Sequence, residues 1–201
     1  MHPHCYDGRV PKQVDHADRR AEIDQIVWTI IAEEGIAAVT LRSIAARGGI
    51  SMGRIQHYFP TRDAIIHHAL TSFLALAEQA HPIPDDPREA LVVLLTHAIP
   101  HDEAPRLGSK IWYAYLAESI DDPDIREIVV EALRGTENLA TALLDGDRDR
   151  ARLLLSAADG LVYRTLVGMV TPEAADAAAR ELIASAVDDQ SRDCTIRKPV
   201  E

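Results

Sequence analysis

Residues 40–62 read TLRSIAARGGISMGRIQHYFPTR, and the fold of the chain turns on this stretch. Leu41, Ile44 and Ala45 stand at i, i+3 and i+4, which marks the buried face of a short helix. Thr40 precedes that run as its N-cap. Gly48 and Gly49 break the pattern, and Ser51 caps a second helix from Met52 to about Tyr58. Ile55 and Phe59, four apart, anchor that helix to the first. Arg54, Gln56 and His57 are then left facing outward, with Tyr58 at the border. Two short helices joined by a glycine turn, the second rich in long polar groups, suit a DNA groove as a helix-turn-helix reader.

The flanks extend the pattern. Asp15 to Glu34 carries Ile23, Ile26, Val27, Ile30 and Ile31 on one helical face and stops at Gly35. Pro60 halts the reader helix, and Thr61 caps a long helix to about Ala80. The segment ADRRAEIDQIVWTIIAEEGIAAVTLRSIAARGGISMGRIQHYFPTRDAII, residues 17–66, resembles the DNA-binding domain of the TetR family of transcriptional regulators. Gly35, Thr40, Ile44 with Ala45, Ser51, Gly53, the pair Tyr58 and Phe59, and basic Arg62 carry the resemblance, in order and spacing.

Three positions depart from the family pattern. Gln56 stands where the family usually has tyrosine, Arg62 where it has lysine, and Arg47-Gly48-Gly49-Ile50 where a turn of Ala-Gly-Val is common. Gln56 loses the rigid ring but keeps hydrogen-bonding capacity. Arg62 keeps the charge and has donors for a phosphate.

The resemblance implies an all-α protein with an N-terminal helix-turn-helix DNA-binding domain and a C-terminal helical regulatory and dimerisation domain. Its implied function is a ligand-responsive regulator, by family habit a repressor released from its operator by a small-molecule effector. The implied partners are double-stranded operator DNA of two-fold symmetry, an effector, and a second copy of the chain. The sequence divides into an N-terminal tail at 1–14, the reader domain at 15–62, a ligand-binding and dimerisation domain at 63–187, and a tail at 188–201. Both tails are expected to be disordered.

A net charge of −11 is at first sight wrong for a DNA binder. Residues 1–62 hold eight Lys/Arg against seven Asp/Glu, whereas residues 63–201 hold thirteen against twenty-five. The acidic excess thus lies away from the reader and orients the other end toward phosphate. A balance of +1 remains a weak footprint, so affinity must rest on a few placed contacts. No apolar run approaches a membrane span, and Asp7, Arg9, Lys12 and Asp15 occupy the place of a signal peptide's apolar core. Cys5 and Cys194, in opposite tails, suggest no disulfide framework. A cytoplasmic protein is expected.

Helix signals continue to the end of the chain, with no convincing strand. Asp86 caps a helix to about Ile99, residues 100–106 read as a connector, and a helix surrounds Ile111 to Ser119. Asp121 or Asp122, with Pro123 in the first turn, starts a helix to Leu144. Gly135 inside it suggests a kink or a close contact. Asp145-Gly146-Asp147 is a turn, followed by helices at 149–169 and at 172–187, the latter capped by Thr171. Leu153, Leu154, Leu155, Leu161, Val162, Leu166 and Val167 cover more than one face of the first of these two. It is therefore either an internal core helix or one shared with another subunit. The resemblance favours the second reading, because the family's last two helices form a four-helix dimer interface.

Thr40, Ser51, Tyr58 and Arg62 are candidate phosphate contacts. Capping by Thr40 and Ser51 and half-burial of Tyr58 are the plainer alternatives, and capping is compatible with phosphate contact. Arg42, Arg54, Gln56 and His57 are candidate base or backbone readers, since arginine matches guanine edges and glutamine adenine edges. Any of them can instead be a solvated side chain. Met52 is assigned to core packing. The cluster Trp112, Tyr113, Tyr115 in an aromatic-poor chain, with Glu118 beyond it, marks an effector pocket by resemblance, joined by Phe73, His97 and Tyr163. An aromatic and carboxylate lining suits a cationic or amphipathic ligand; aromatic core packing is the competing explanation.

Other constellations lead nowhere. His2, His4 and Cys5 lack a fourth metal ligand. His67 and His68 diverge by about 100° on a helix. Asp121, Asp122 and Asp124 are explained by helix capping, and Asp145, Asp147 and Asp149 form too short a loop for calcium. No nucleophile motif, phosphate-cradling loop or HExxH pair is present. Neither a metal nor a cofactor is expected, and the chain does not read as an enzyme. A helical enzyme or an interaction module without DNA binding are the rival classes.

Overall fold

The computed structural model describes residues 12–196, with side chains described for 16–187. Nine α-helices and one 3-10 turn, and no strand, are found among the described residues. They are α1 (Lys12–Glu34), the 3-10 turn Ile36–Ala38, α2 (Leu41–Gly48), α3 (Met52–Tyr58), α4 (Arg62–Ala80), α5 (Pro87–Thr96), α6 (Glu103–Glu118), α7 (Pro123–Leu143), α8 (Arg148–Leu166) and α9 (Pro172–Ile196). The chain divides into two compact units, the first ending at Ser72 and the second beginning at Phe73. The unit boundary thus falls inside α4, ten residues beyond the expected end of the reader domain. Residues 1–11, most of the expected N-terminal tail, and 197–201, the end of the expected C-terminal one, lie outside the described residues.

In the first unit the apolar face of α1 is buried through Ile23, Val27, Ile30 and Ile31. Trp28 is buried with them, and its indole Nε1 donates to the carbonyl of Ala69 on α4 at 2.9 Å. That bond satisfies the donor which makes tryptophan costly to bury. Thr40 and Ser43 form a reciprocal capping box on α2: Thr40 Oγ1 accepts from the Ser43 amide and Ser43 Oγ from the Thr40 amide. Such a cap contributes about 1 kcal/mol. Gly49, at φ 61°, ends α2 in the left-handed conformation that glycine adopts without strain. Gly48 has a different constraint: a Cβ there would run into Ile26 Cδ1. The unusual Gly-Gly turn is therefore one glycine for the backbone and one for the approach of α1. Ser51 Oγ caps α3, accepting from the Arg54 amide at 3.3 Å.

In the second unit, aspartates start four helices. Asp86, Asp102, Asp122 and Asp147 each accept a first-turn amide of α5, α6, α7 and α8. Thr171 Oγ1 does the same for α9. The core is a cluster of Leu91, Leu95, Ala140, Leu144, Ala151, Leu154, Ala158, Ile183 and Ala186, joined to α5, α7, α8 and α9. A second cluster gathers Ile99, Val162, Ala175 and Ala179, with Leu161 and Leu166 half-buried against it.

Several sequence expectations are corrected. α6 begins at Glu103 rather than near Ile111, because Asp102 caps it and Pro105 is still in the first turn, where a missing N–H costs nothing. α5 gives way to turns after Thr96, and α9 continues past Val187 to Ile196. Gly135 sits in an uninterrupted α7, with no atom near where its Cβ would lie, so it marks no close contact. Met52 is 53% exposed rather than packed in the core.

Ile55, with no exposure, is expected to be the pin of the reader unit. Ile55→Ala should lower stability by ~2–5 kcal/mol, read as an earlier denaturant midpoint. A midpoint unchanged from the parent would mean that α3 is held by something else.

Candidate nucleic-acid interface

α3 is only seven residues long and is held by its apolar side: Ile55 is fully buried and Phe59, its C-cap, is 3% exposed. With that side fixed, the 3.6-residue period turns Arg54, Gln56 and His57 to solvent and leaves Tyr58 half-buried, as the sequence implied. Arg42, on α2, is exposed, and so are the capping residues Thr40 and Ser51. The eight candidates are therefore all on α2, on α3 or at the first turns of α2, α3 and α4 within one unit.

Phe59 is also the centre of a polar-aromatic chain. The guanidinium of Arg20 lies over its ring, 5.4 Å from the centroid, and His68 meets the ring edge-on at 5.0 Å. His68 Nδ1 is 3.0 Å from Asp24 Oδ1, and Asp24 is 2% exposed. Burial pushes the Asp24 carboxyl above its ordinary value, against the pull of the His68 hydrogen bond. α1, the end of α3 and the first half of α4 are thus tied through one buried carboxylate. Asp24 went unnoticed in the sequence because it interrupts an apolar face, yet it falls on the same ladder as Val27 and Ile31.

Arg62 is placed differently from expectation. Its Nε donates to the carbonyl of Val39 at 2.6 Å and its Nη2 to the carbonyl of Ile36 at 3.0 Å; Nη1 lies 3.6 Å from Asp63. Two of its five N–H donors are thus engaged by the turn that leads into α2. The cause is simple: the Val39 carbonyl, and the Ile36 carbonyl that also accepts from the Val39 amide, lie within reach of one planar guanidinium. Arg47 makes a second tie, with ion pairs from α2 to Glu33 and Glu34 of α1, the latter at 2.7 Å.

One surface residue escaped the sequence reading. His16, in α1, lies 5.8 Å from His57 and 5.2 Å from Tyr58 by ring centroids, and His57 and Tyr58 are 5.3 Å apart. The exposed reader face therefore continues onto the start of α1. No local pattern shows this, since residues 16 and 57 meet only through the packing of α1 on α3.

The expected effector residues are not all alike in the second unit. Tyr115 is fully buried, Phe73, Trp112 and Glu118 are half-buried, and Tyr163 is 55% exposed. Ile111 and Tyr115, four apart, make the buried side of α6, with Trp112 on its flank. Tyr163 faces Tyr113 with centroids 6.0 Å apart, and the Tyr113 hydroxyl donates to the carbonyl of Asp159 at 2.6 Å. Burial, then the nearby Asp159 carboxylate, pushes the Tyr113 hydroxyl up to about 12. Tyr113 therefore stays a donor, and its ring is the one on α6 that meets Tyr163. His97, at the end of α5, contacts His81 instead of the aromatic cluster.

A short helix presented on a packed three-helix base, with exposed arginine, glutamine and histidine, defines a helix-turn-helix DNA-binding protein. Comparison with known proteins makes the class specific. Residues 28–69 match the bacterial regulatory proteins of the tetR family, and residues 86–189 match the family described as Tetracyclin repressor-like, C-terminal domain. The chain belongs to the TetR family and is a DNA-binding transcriptional regulator, not an enzyme. It is 27% identical over 176 residues to the HTH-type transcriptional regulator PksA of Bacillus subtilis (strain 168), covering 80% of this chain and 85% of that protein. It is 29% identical over 193 residues to the HTH-type transcriptional regulator BetI 2 of Chromohalobacter salexigens, covering 90% and 92%. Among solved structures, a transcriptional regulator from Rhodococcus sp. Rha1 superposes with a TM-score of 0.77 at 24% identity, covering 85% of this chain and 96% of that one. A putative transcriptional regulator from Saccharomonospora viridis in complex with choline gives 0.73 at 24% identity (86% and 96%). The multidrug binding protein EbrR complexed with malachite green gives 0.66 at 25% identity (84% and 98%). No helix among the described residues is long and apolar enough to cross a membrane.

Arg54 and Arg62 are expected to separate into two behaviours. Arg54→Ala should cost ~1–3 kcal/mol at one operator position and relax its base preference. Arg62→Ala should lower the stability of the reader unit by ~1–3 kcal/mol, through loss of charged hydrogen bonds, with the salt slope of DNA binding unchanged. Fluorescence anisotropy on the operator and its single-base variants at several salt concentrations reads the binding changes, and denaturant unfolding reads the stability. A slope reduced by about one unit in the Arg62 variant would restore it as a phosphate contact.

Proposed function

We propose that the protein is a cytoplasmic repressor that occupies a two-fold symmetric operator as a homodimer and leaves it when a small organic cation binds the second unit. The observation that carries DNA occupancy is α3, pinned by Ile55 and Phe59 and left with Arg54, Gln56 and His57 in solvent. Arg42, His57 and Tyr58 supply further base or backbone contacts, and Thr40 and Ser51 offer hydroxyls to phosphate while capping their helices. One such helix discriminates modestly, whereas two related by a dyad read two half-sites.

The dimer reading is supported by an apolar stripe that the monomer leaves open. Leu153 is 72% exposed and Val167, the C-cap of α8, 58%, and with Ala157 and Gly160 between them they fall on one side of that helix, which the exposed Arg164 shares. Leu182, on α9, is 38% exposed. Leu161 and Leu166 lie on the inner side instead, against Val162 and Ala179. The open stripe is therefore the surface to test. Leu153→Glu and Val167→Glu should each shift the protein to monomer in sedimentation at micromolar concentration, with the helix content kept. A parent protein that sediments as a monomer at that concentration would remove the dimer.

The effector reading is supported by Trp112, Glu118 and Phe73, half-buried in an acidic unit, with Tyr113 and Tyr163 nearby on α6 and α8. Aromatic faces and a carboxylate together favour a cation. The choline, malachite green and ethidium carried by structural relatives are all organic cations. A ligand that binds one domain orientation better than another shifts the population toward it and so changes operator affinity. Trp112→Ala is expected to abolish release by an inducing cation while leaving operator affinity nearly unchanged. If it also lowers stability by ~3–5 kcal/mol and weakens operator binding, Trp112 belongs to the core and the effector site lies elsewhere.

A further inference from the structure

His81 and His97 lie side by side in the second unit, with ring centroids 4.9 Å apart and planes inclined by 54°. His81 directly follows α4, and His97 is the C-cap of α5. Each ring is oriented by the helix it ends. His81 Nδ1 is 3.0 Å from the carbonyl oxygen of Ala77, and His97 Nδ1 is 3.1 Å from that of Leu94 and 3.2 Å from that of Val93. A carbonyl oxygen only accepts, so Nδ1 is the donor in both rings. When such a ring carries a single proton, its lone pair is on Nε2, and the carbonyl fixes both tautomer and orientation. This is the arrangement that prepares a histidine to ligate a metal.

We propose that His81 and His97 form a two-imidazole site for a divalent transition metal ion of the zinc, nickel and copper class, which fastens the end of α4 to the end of α5. The spacing fits. A Zn–N bond of about 2.0–2.1 Å, with roughly 1.2 Å more to each ring centre, puts two imidazoles at a tetrahedral metal about 5 Å apart. Imidazole donors select this class over calcium and magnesium, which take oxygen ligands. Both residues are exposed, so an ion reaches them from solvent and water fills its remaining positions. No local pattern shows this pair, since its members stand sixteen positions apart with a loop between them. The site is independent of the aromatic effector reading, because neither imidazole belongs to the cluster on α6 and α8.

Calorimetric titration of Zn2+ into the full-length protein tests it, with His81→Gln, His97→Gln and, as a control on a neighbouring histidine, His101→Gln. Any uptake by His2, His4 and Cys5 is common to all four proteins. The expected result is one equivalent of Zn2+ in the parent and the control that is weakened at least ~10-fold in both pair variants, since loss of an orienting partner alone costs that much. Identical isotherms in all four proteins overturn the site. Anomalous diffraction from a Zn2+ soak of the unmodified protein decides independently of how the variants fold. A peak within bonding distance of both Nε2 atoms is expected, and Zn2+ bound only elsewhere removes the proposal.

Discussion

A helix of seven residues has no stability of its own in water, because nucleation costs more than two turns return. Everything at the DNA-facing end of this protein therefore depends on how α3 is held. Ile55 and Phe59 supply the apolar grip, and Phe59 in turn is clasped between the Arg20 guanidinium and the His68 ring. The buried Asp24 behind His68 makes the clasp directional, since an unpaired carboxylate there would be costly. Arg62 and Arg47 then fix the entry and exit of α2 by donating to carbonyls and carboxylates of the preceding segments. The charges closest to the reader thus serve chiefly to set its angle.

That allocation explains how a unit with almost no net positive charge can belong to a DNA-binding family. Of eight basic residues in positions 1–62, Arg47 and Arg62 are engaged internally and Arg19 is paired with Glu22 at 2.6 Å. Arg42 and Arg54 remain on exposed faces of α2 and α3. A surface with few unpaired cations releases few counterions, so on the proposed reading DNA affinity depends less steeply on salt than that of a broadly basic protein.

The helices and their caps were legible because they are local. Thr40, Ser51, Thr61, Asp86, Asp122 and Thr171 each announce a helix start within four residues, and Ile55 with Phe59 announces the buried side of the reader. Asp102 was missed because it lies within residues 100–106, which read as a connector, although proline at 105 is harmless in a first turn. What pattern could not show is where long polar side chains go. Arg62 reads equally well as a phosphate ligand or a carbonyl clasp until the 3-10 turn at Ile36–Ala38 is in place. The pairs His16 with His57, Asp24 with His68 and His81 with His97 exist only through tertiary packing. The aromatic concentration in α6 is plain in the sequence, but helix phase buries Tyr115 fully and leaves Trp112 and Tyr113 half-buried, which a spacing of three does not resolve.

Gly48 carries a consequence for how this sequence can change. Glycine in the last turn of a helix costs about 1 kcal/mol relative to alanine, so drift toward alanine would ordinarily be favoured. Here the added methyl would strike Ile26 Cδ1 on the facing helix. Alanine at 48 therefore requires the Ile26 side chain, which is half-buried, to swing its terminal methyl aside, or position 26 to be shortened, for instance to valine. The helix-propensity gain at 48 is thus set against repacking at 26. The two positions are coupled through that one methyl, so the effect of a side chain at 48 depends on which residue stands at 26.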